Sequence, residues 1–265
     1  MSVPHRSSAT LAASGRPAGR LAMHRRQISA TAFGSPGTVS TGVGATQRMV
    51  EDRPAVEAAR RGHDVSALSR ADLDITDPAA VERQVEGADV VVNCAAFTNV
   101  DAAEADPDAA YAINAVGPAN LARACARTGA RLIHISTDYV FSGDRGRPYE
   151  ISDAVGPLSV YGRSKLDGEL AVHAELPEAH VVRTSWVYTG GSGTDFVAVM
   201  RRLAAGGRTI DVVSDQTGSP TYAKDLVEAL LEVAAGRVRA PILHAANSGT
   251  ASRFDQARAV FALVR

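Results

Sequence analysis

The 265-residue chain is predicted to fold as an α/β protein, a doubly wound parallel sheet of Rossmann-like type with a small C-terminal substrate lobe. Three observations predict it. Past residue 50, short apolar runs alternate with stretches of helical period, the pattern of βαβ units. Four of these runs end in residues that suit chemistry or ligand contact: Ser69-Arg70, Ala95-Ala96-Phe97, Ser136-Thr137 and Trp186. A doubly wound sheet binds ligands at the carboxyl ends of its strands, so one edge collects all four. The length suits one large domain, with or without a small lobe.

The elements follow in order. Residues 54–61 read as the end of a helix with Pro54 in its first turn and Gly62 as its stop, before a strand at Asp64–Leu68. A helix opens near Asp77-Pro78, and Asp89–Cys94 is a strand whose run of valines suits cover on both faces. Residues 107–128 read as one long helix closed by Gly129, followed by the strand RLIHIS at 131–136. A helix over 162–176 precedes a strand over 179–188, and a helix over 194–205 ends at a glycine pair. Thr209–Asp215 reads as a short strand, 224–235 as a helix, 241–246 as a strand and 252–265 as a final helix.

Composition narrows the function. Lys plus Arg number 28 against 29 Asp plus Glu, a formal charge of −1, so no strong field points to nucleic acid. No apolar run is long enough to span a bilayer. Cys94 and Cys125 lack ligand spacing and read as core thiols of a reducing cytosol, so no metal is expected and the location is cytoplasmic. The first 50 residues differ: they hold six Arg and no acid. Residues 1–40 are expected to be an atypical, disordered segment, and 41–265 the Rossmann-like domain with substrate-side segments around 186–225. A transit peptide or a mis-started reading frame would also give such a beginning, the latter being preferred.

The chain is organised around Ser136 to Lys165, which opens with a hydroxyl pair after an apolar run and closes with Tyr161 and Lys165. Four residues apart on a helix, phenol and ammonium share one face. A fixed cation lowers a phenol pKa, which suits a tyrosine to proton exchange. The chain has 6 Tyr and two Lys, so this spacing arises by chance in roughly one chain in twenty. Thr137 adds a hydroxyl that can bond a developing alkoxide. A dinucleotide fold also needs a Gly-rich turn. Thr41-Gly42-Val43-Gly44 supplies two glycines, while Arg48 stands near the third position; a flexible tail explains the run equally well. Ser69-Arg70 suits a 2′-phosphate or is simply a solvated loop.

Five runs carry a resemblance: NCAAFTNVD, YAINAVGPANLARAC, STDYVFSGD, YGRSKLDGE and RTSWVY. Together they resemble the extended short-chain dehydrogenase/reductases and, more closely, the dTDP-4-dehydrorhamnose reductase family, from about Gly62 to Arg265. The resemblance implies reduction of the 4-keto group of dTDP-4-dehydro-6-deoxy-L-mannose by NADPH, with NADH also allowed. Tyr161 would be the proton donor, Thr137 the catalytic hydroxyl, and Lys165 would lower the Tyr161 pKa and hold the nicotinamide ribose. Asp138 and Trp186 would contact the nucleotide-sugar, although packing also explains Trp186. Gly42, Gly44, Arg70, Asp74, Ile75, Ala95, Ala96 and Phe97 would line the cofactor's path, and Asn114 would support the lysine.

Two departures accompany it. The Gly-rich turn is incomplete, and the chain stops at Arg265, where relatives are expected to continue, so the C-terminal lobe reads as truncated. Alternatives follow: an epimerase or dehydratase with the same Tyr–Lys pair, or a non-catalytic NADP-binding regulatory subunit or decayed homologue. A homodimer is compatible with all of them.

Overall fold

A computed structural model describes residues 54–264, apart from 192 and 208, and the backbone of 27–31. In chain order come β1 (Gln27–Thr31), α1 (54–60), β2 (Asp64–Leu68), α2 (Pro78–Val85) and β3 (Val90–Asn93). Next are α3 (Val100–Ala105), α4 (Pro107–Tyr111), a π-helical turn (Ala112–Val116), α5 (Gly117–Thr128) and β4 (Arg131–Thr137). They are followed by α6 (Val160–Glu175), β5 (His180–Thr184), β6 (Val187–Tyr188) and α7 (Phe196–Ala205). The chain continues through β7 (Thr217–Gly218), β8 (Thr221–Tyr222), α8 (Ala223–Ala234), β9 (Ile242–His244), β10 (Ala251–Ser252) and α9 (Arg253–Val264).

Six strands form one parallel sheet in the order β2-β1-β3-β4-β5-β9. The order reverses between β1 and β3, which places the ligand crevice outside the carboxyl ends of those strands. β3 and β5 are buried at every position, as strands covered on both faces must be. One face packs against α2, α5 and α6 through Leu73, Val81, Leu121, Leu132 and Val172. The other meets α8 and α1 through Leu226, Leu230 and Ala58. A separate cluster, with Met200, Ala257 and Val260 at its centre, joins α7 to α9 and is the core of the small lobe.

The structure corrects the sequence reading at four places. β1 lies inside the segment expected to be disordered, and it pairs with both β2 and β3. The long helix over 107–128 contains a π turn: the Gly117 N–H reaches Ala112 O, five residues back. Pro118 has no N–H for Asn114, the residue four before it, so the ordinary ladder cannot run through this point. The strand expected over 179–188 breaks at Ser185-Trp186, where Trp186 adopts φ 47°, a left-handed value that is uncommon for a bulky residue. Thr209–Asp215 forms no strand; Ile210 and Val212 instead dock their side chains onto the α7–α9 cluster.

Helix α6 carries Tyr161 and Lys165, and three devices seat it. Ser159 caps its start by accepting from Gly162 N at 3.0 Å, and Glu104 of α3 accepts from Val160 N at 2.7 Å, placing a carboxylate at the positive end of the helix. Two glycines then allow backbone contact. A Cβ on Gly162 would lie 2.3 Å from Tyr139 O, and one on Gly168 would lie 2.0 Å from Asn114 O in the π turn. Gly168→Ala is therefore expected to lower stability by about 1–3 kcal/mol, the usual cost of overpacking, as read from a urea unfolding midpoint. An unchanged midpoint would mean that α6 is not seated this closely.

Candidate functional site

The site lies where β4 ends and α6 begins. Thr137 is the last residue of β4 and is 7 % exposed. Its hydroxyl adjoins the Tyr161 phenol, donates to Asp138 Oδ1 at 3.1 Å and accepts from Tyr139 N at 3.2 Å. The Tyr139 ring meets Tyr161 edge-on, with centroids 5.5 Å apart. Sequence adjacency at a strand end and the first turn of α6 thus bring Thr137, Asp138 and Tyr161 together.

The electrostatics correct one expectation. Burial holds the Tyr161 pKa above the ordinary phenol range; the Thr137 hydrogen bond pulls the other way, and the nearby Asp138 reinforces the rise. Lys165 is absent from these causes because its amine points elsewhere: Lys165 Nζ donates to Ile135 O at 2.7 Å and lies 3.3 Å from His134 Nε2. Burial brings the Lys165 pKa down to about 8. Asp138 is raised by burial as well, against the pull of Thr137 and of the Arg253 charge. Tyr161 is therefore a protonated phenol at neutral pH, which is the form a proton donor needs.

Asn114 joins two segments beside the lysine. Its Oδ1 accepts from Phe97 N at 2.8 Å, and its Nδ2 faces Phe97 O at 3.1 Å and Ser164 Oγ at 3.0 Å. It therefore clips the Ala95-Ala96-Phe97 segment to α6. At the start of that segment, Ala95 N donates to Asn93 Oδ1 at 3.0 Å. His134 is fully buried and joined to Asn93 and Lys165.

A cavity of ≈ 170 Å³ opens beyond the end of β2, lined by Arg70, Asp74, Ile75 and Thr76 on one side and by Ala109, Ala112 and Ile113 on the other. Asp74 is held in a turn by Thr76 N at 2.9 Å and Thr76 Oγ1 at 2.7 Å, bonds that hold its carboxyl below the usual range. Ser69, read beside Arg70 as a phosphate partner, instead spends its hydroxyl on Asp72 at 2.6 Å. Gly42 and Gly44 lie outside the described residues.

On the lobe side, the Trp186 ring is covered. The Arg253 guanidinium lies 3.6 Å from its centroid and 4.8 Å from that of Phe196, and a Cβ on Gly218 would meet the ring edge at 2.6 Å. Arg253 opens α9 and its charge faces Asp138, so it bridges the lobe and the reacting end. Sequence reasoning missed it, because only the fold brings the start of the last helix onto Trp186.

With this geometry in place, comparison with known proteins decides the family. A family model described as RmlD substrate binding domain matches residues 52–265. A dTDP-4-dehydrorhamnose reductase of Mycobacterium tuberculosis is 65% identical over 209 residues, which cover 77% of this chain and 69% of that one. The chain belongs to the dTDP-4-dehydrorhamnose reductase family. Two crystal structures bearing that name agree in fold. The Clostridium acetobutylicum protein has a TM-score of 0.79 at 36% identity, covering 89% of this chain and 80% of that one. The Bacillus anthracis protein, in complex with NADP, has a TM-score of 0.80 at 33% identity, covering 91% and 81%. The doubly wound sheet and the small lobe are those of this reductase family.

Proposed function

We propose that the chain reduces the 4-keto group of dTDP-4-dehydro-6-deoxy-L-mannose with NADPH, giving dTDP-L-rhamnose, and that Tyr161 donates the proton. The observation that carries this reading is that Thr137 and the buried Tyr161 phenol adjoin each other at the carboxyl end of β4, with Asp138 beside them. Membership in a family of reductases supports it, as does the relative that holds NADP.

The residues present fit the cofactor. The cavity at the end of β2 has the apolar walls and the single guanidinium expected for the adenosine end of a phosphorylated dinucleotide. Arg70 would meet the 2′-phosphate, Asp74 and Ile75 would flank the adenine, Ala95, Ala96 and Phe97 would line the path, and Lys165 would reach the nicotinamide ribose. When bound, NADPH supplies a hydride to the carbonyl carbon. The chain's own residues manage the oxygen. Thr137 and Tyr161 would bond it, the Tyr161 proton would pass to it, and the phenolate left behind would be stabilised by the Thr137 hydroxyl and, once its amine turns from Ile135 O toward that face, by the Lys165 charge. Asp138, Trp186 and Arg253 would position the nucleotide-sugar.

The test is NADPH oxidation by the purified chain, followed by absorbance, with and without dTDP-4-dehydrorhamnose; oxidation that does not depend on the sugar would sink the reading. Cofactor choice gives a second check. Arg70→Ala should weaken NADPH about tenfold or more and NADH by little, because a hydrogen bond to a charged group is worth about 1.5–3 kcal/mol. Equal losses for both cofactors, measured by fluorescence titration, would place the 2′-phosphate elsewhere.

A further inference from the structure

Three buried residues behind the reacting pair fix one another's protons. Ala95 N–H donates to Asn93 Oδ1 at 3.0 Å, and a backbone N–H can only donate. The Asn93 amide is thereby oriented, and its Nδ2 must be the group 3.0 Å from His134 Nδ1. Nδ2 also only donates, so Nδ1 accepts. A neutral imidazole then carries its proton on Nε2, and that N–H faces Lys165 Nζ at 3.3 Å. His134 is neutral because it is fully buried, and burial is the largest cause that lowers its pKa. An ammonium has three donors and no acceptor. In this seat it would set donor against donor, whereas a neutral amine would accept from Nε2–H and still donate to Ile135 O at 2.7 Å.

We infer that Asn93 and His134 are a positioning pair for Lys165. By turning an N–H toward the amine they make its retracted seat fit the neutral form, so that protonation of Lys165 and its movement toward the face it shares with Tyr161 are coupled. The other groups facing the amine do not supply this. Glu169, one turn on along α6, favours the ammonium, but it is held by Arg183 of β5 and Ser136 of β4; Cys94, after β3, pulls in the same direction as Glu169. Against these, burial and the facing N–H oppose the charge. The inference rests on the proposed role of Lys165 in the reductase. It adds that the lysine is gated by its own proton, and that the gate is set from β3 and β4.

The first test needs no turnover. Nitrogen-15 spectra of the cofactor-free wild-type chain, with His134 assigned by its loss in His134→Gln, should show the Nε2–H tautomer at neutral pH. The Nε2 signal should shift as the pH passes through about 8, where Lys165 titrates, and Lys165→Met should abolish that shift. An Nδ1–H tautomer, or an imidazolium at neutral pH, would overturn the inference. The second test reverses the network. Asn93→Asp keeps the acceptor for Ala95 N but accepts from His134, moving the proton to Nδ1 and turning a lone pair toward Lys165. The Lys165 titration should then move up by about one unit or more, in the spectra and in the pH profile of kcat/KM alike. An unmoved titration in a folded Asn93→Asp protein would also overturn the inference. Failure of the reductase reading would look different: no turnover by the wild type, with the tautomer and titration still measurable.

Discussion

Tyr161→Phe is expected to reduce turnover by about 10²–10⁴-fold while leaving NADPH affinity within a few-fold, because general acid catalysis contributes on that scale. The substitution removes one hydroxyl and keeps the ring that packs edge-on against Tyr139. Thr137 keeps its bonds to Asp138 and to Tyr139 N, so the strand end should hold its shape. The loss should therefore fall on kcat and not on binding. Burial raises the pKa of this phenol, so the wild type should keep its proton donor across the neutral range. The basic limb of its pH profile should instead follow Lys165, whose pKa is brought down to about 8. The sign follows from the charge: the pKa of Lys165 is depressed, so the ammonium is present below that pH and lost above it. Activity that survives in Tyr161→Phe would assign the proton to another group, and the Thr137 hydroxyl would be the first to examine.

The second large effect concerns stability. Arg183 and Glu169 form an ion pair whose side chains are 5% and 3% exposed, with Nε–Oε1 at 2.9 Å and NH2–Oε2 at 2.6 Å. Ser136 Oγ donates to the same carboxylate at 2.5 Å, and the Phe141 ring lies 5.1 Å from the guanidinium. The pair ties α6 to β4 and β5, directly behind the reacting residues. Arg183→Met is expected to cost about 3–5 kcal/mol in a urea titration, because it leaves a buried carboxylate without its counter-charge. Adding Glu169→Gln should recover part of that loss, since the stranded charge is then gone. A loss under 1 kcal/mol for the single variant would mean that water reaches Glu169. Among the described residues, Arg183 NH1 is buried with no hydrogen-bond partner, as are Thr184 Oγ1 beside it and His244 Nε2 on the neighbouring strand.

Much of this architecture was legible because it is written in local pattern. Alternating apolar runs and helical periods located β2 to β5 and most helices, and strand-end chemistry located Thr137 and the Tyr161–Lys165 pair. What was not legible depends on partners distant in sequence. β1 lies in an acid-free, Arg-rich segment without strand period, and only its pairing with β2 and β3 makes it a strand. Pro118 was visible inside the long helix, but the close seating of Gly168 of α6 against Asn114 O in the π turn was not. The direction of the Lys165 amine follows from burial and from Ile135 and His134, none of which the Tyr–Lys spacing encodes. Arg253 reaches Trp186 only because α9 folds back onto the break after β5. The Tyr–Lys spacing thus gave the wrong direction for the Tyr161 pKa, because it counted a neighbouring charge and not the cost of burial.

The central claim is that this site delivers a hydride and a proton across a 4-keto sugar. Its most direct test uses NADPH carrying deuterium on the transferred position, mixed with dTDP-4-dehydrorhamnose and the purified chain, with the sugar product analysed by mass spectrometry and NMR. The account predicts one deuterium at C4 of a dTDP-6-deoxyhexose, formed in step with NADPH oxidation and lost in Tyr161→Phe. A sugar isomerised without label while the cofactor stays reduced, or no conversion by a folded protein that binds NADPH, would contradict it.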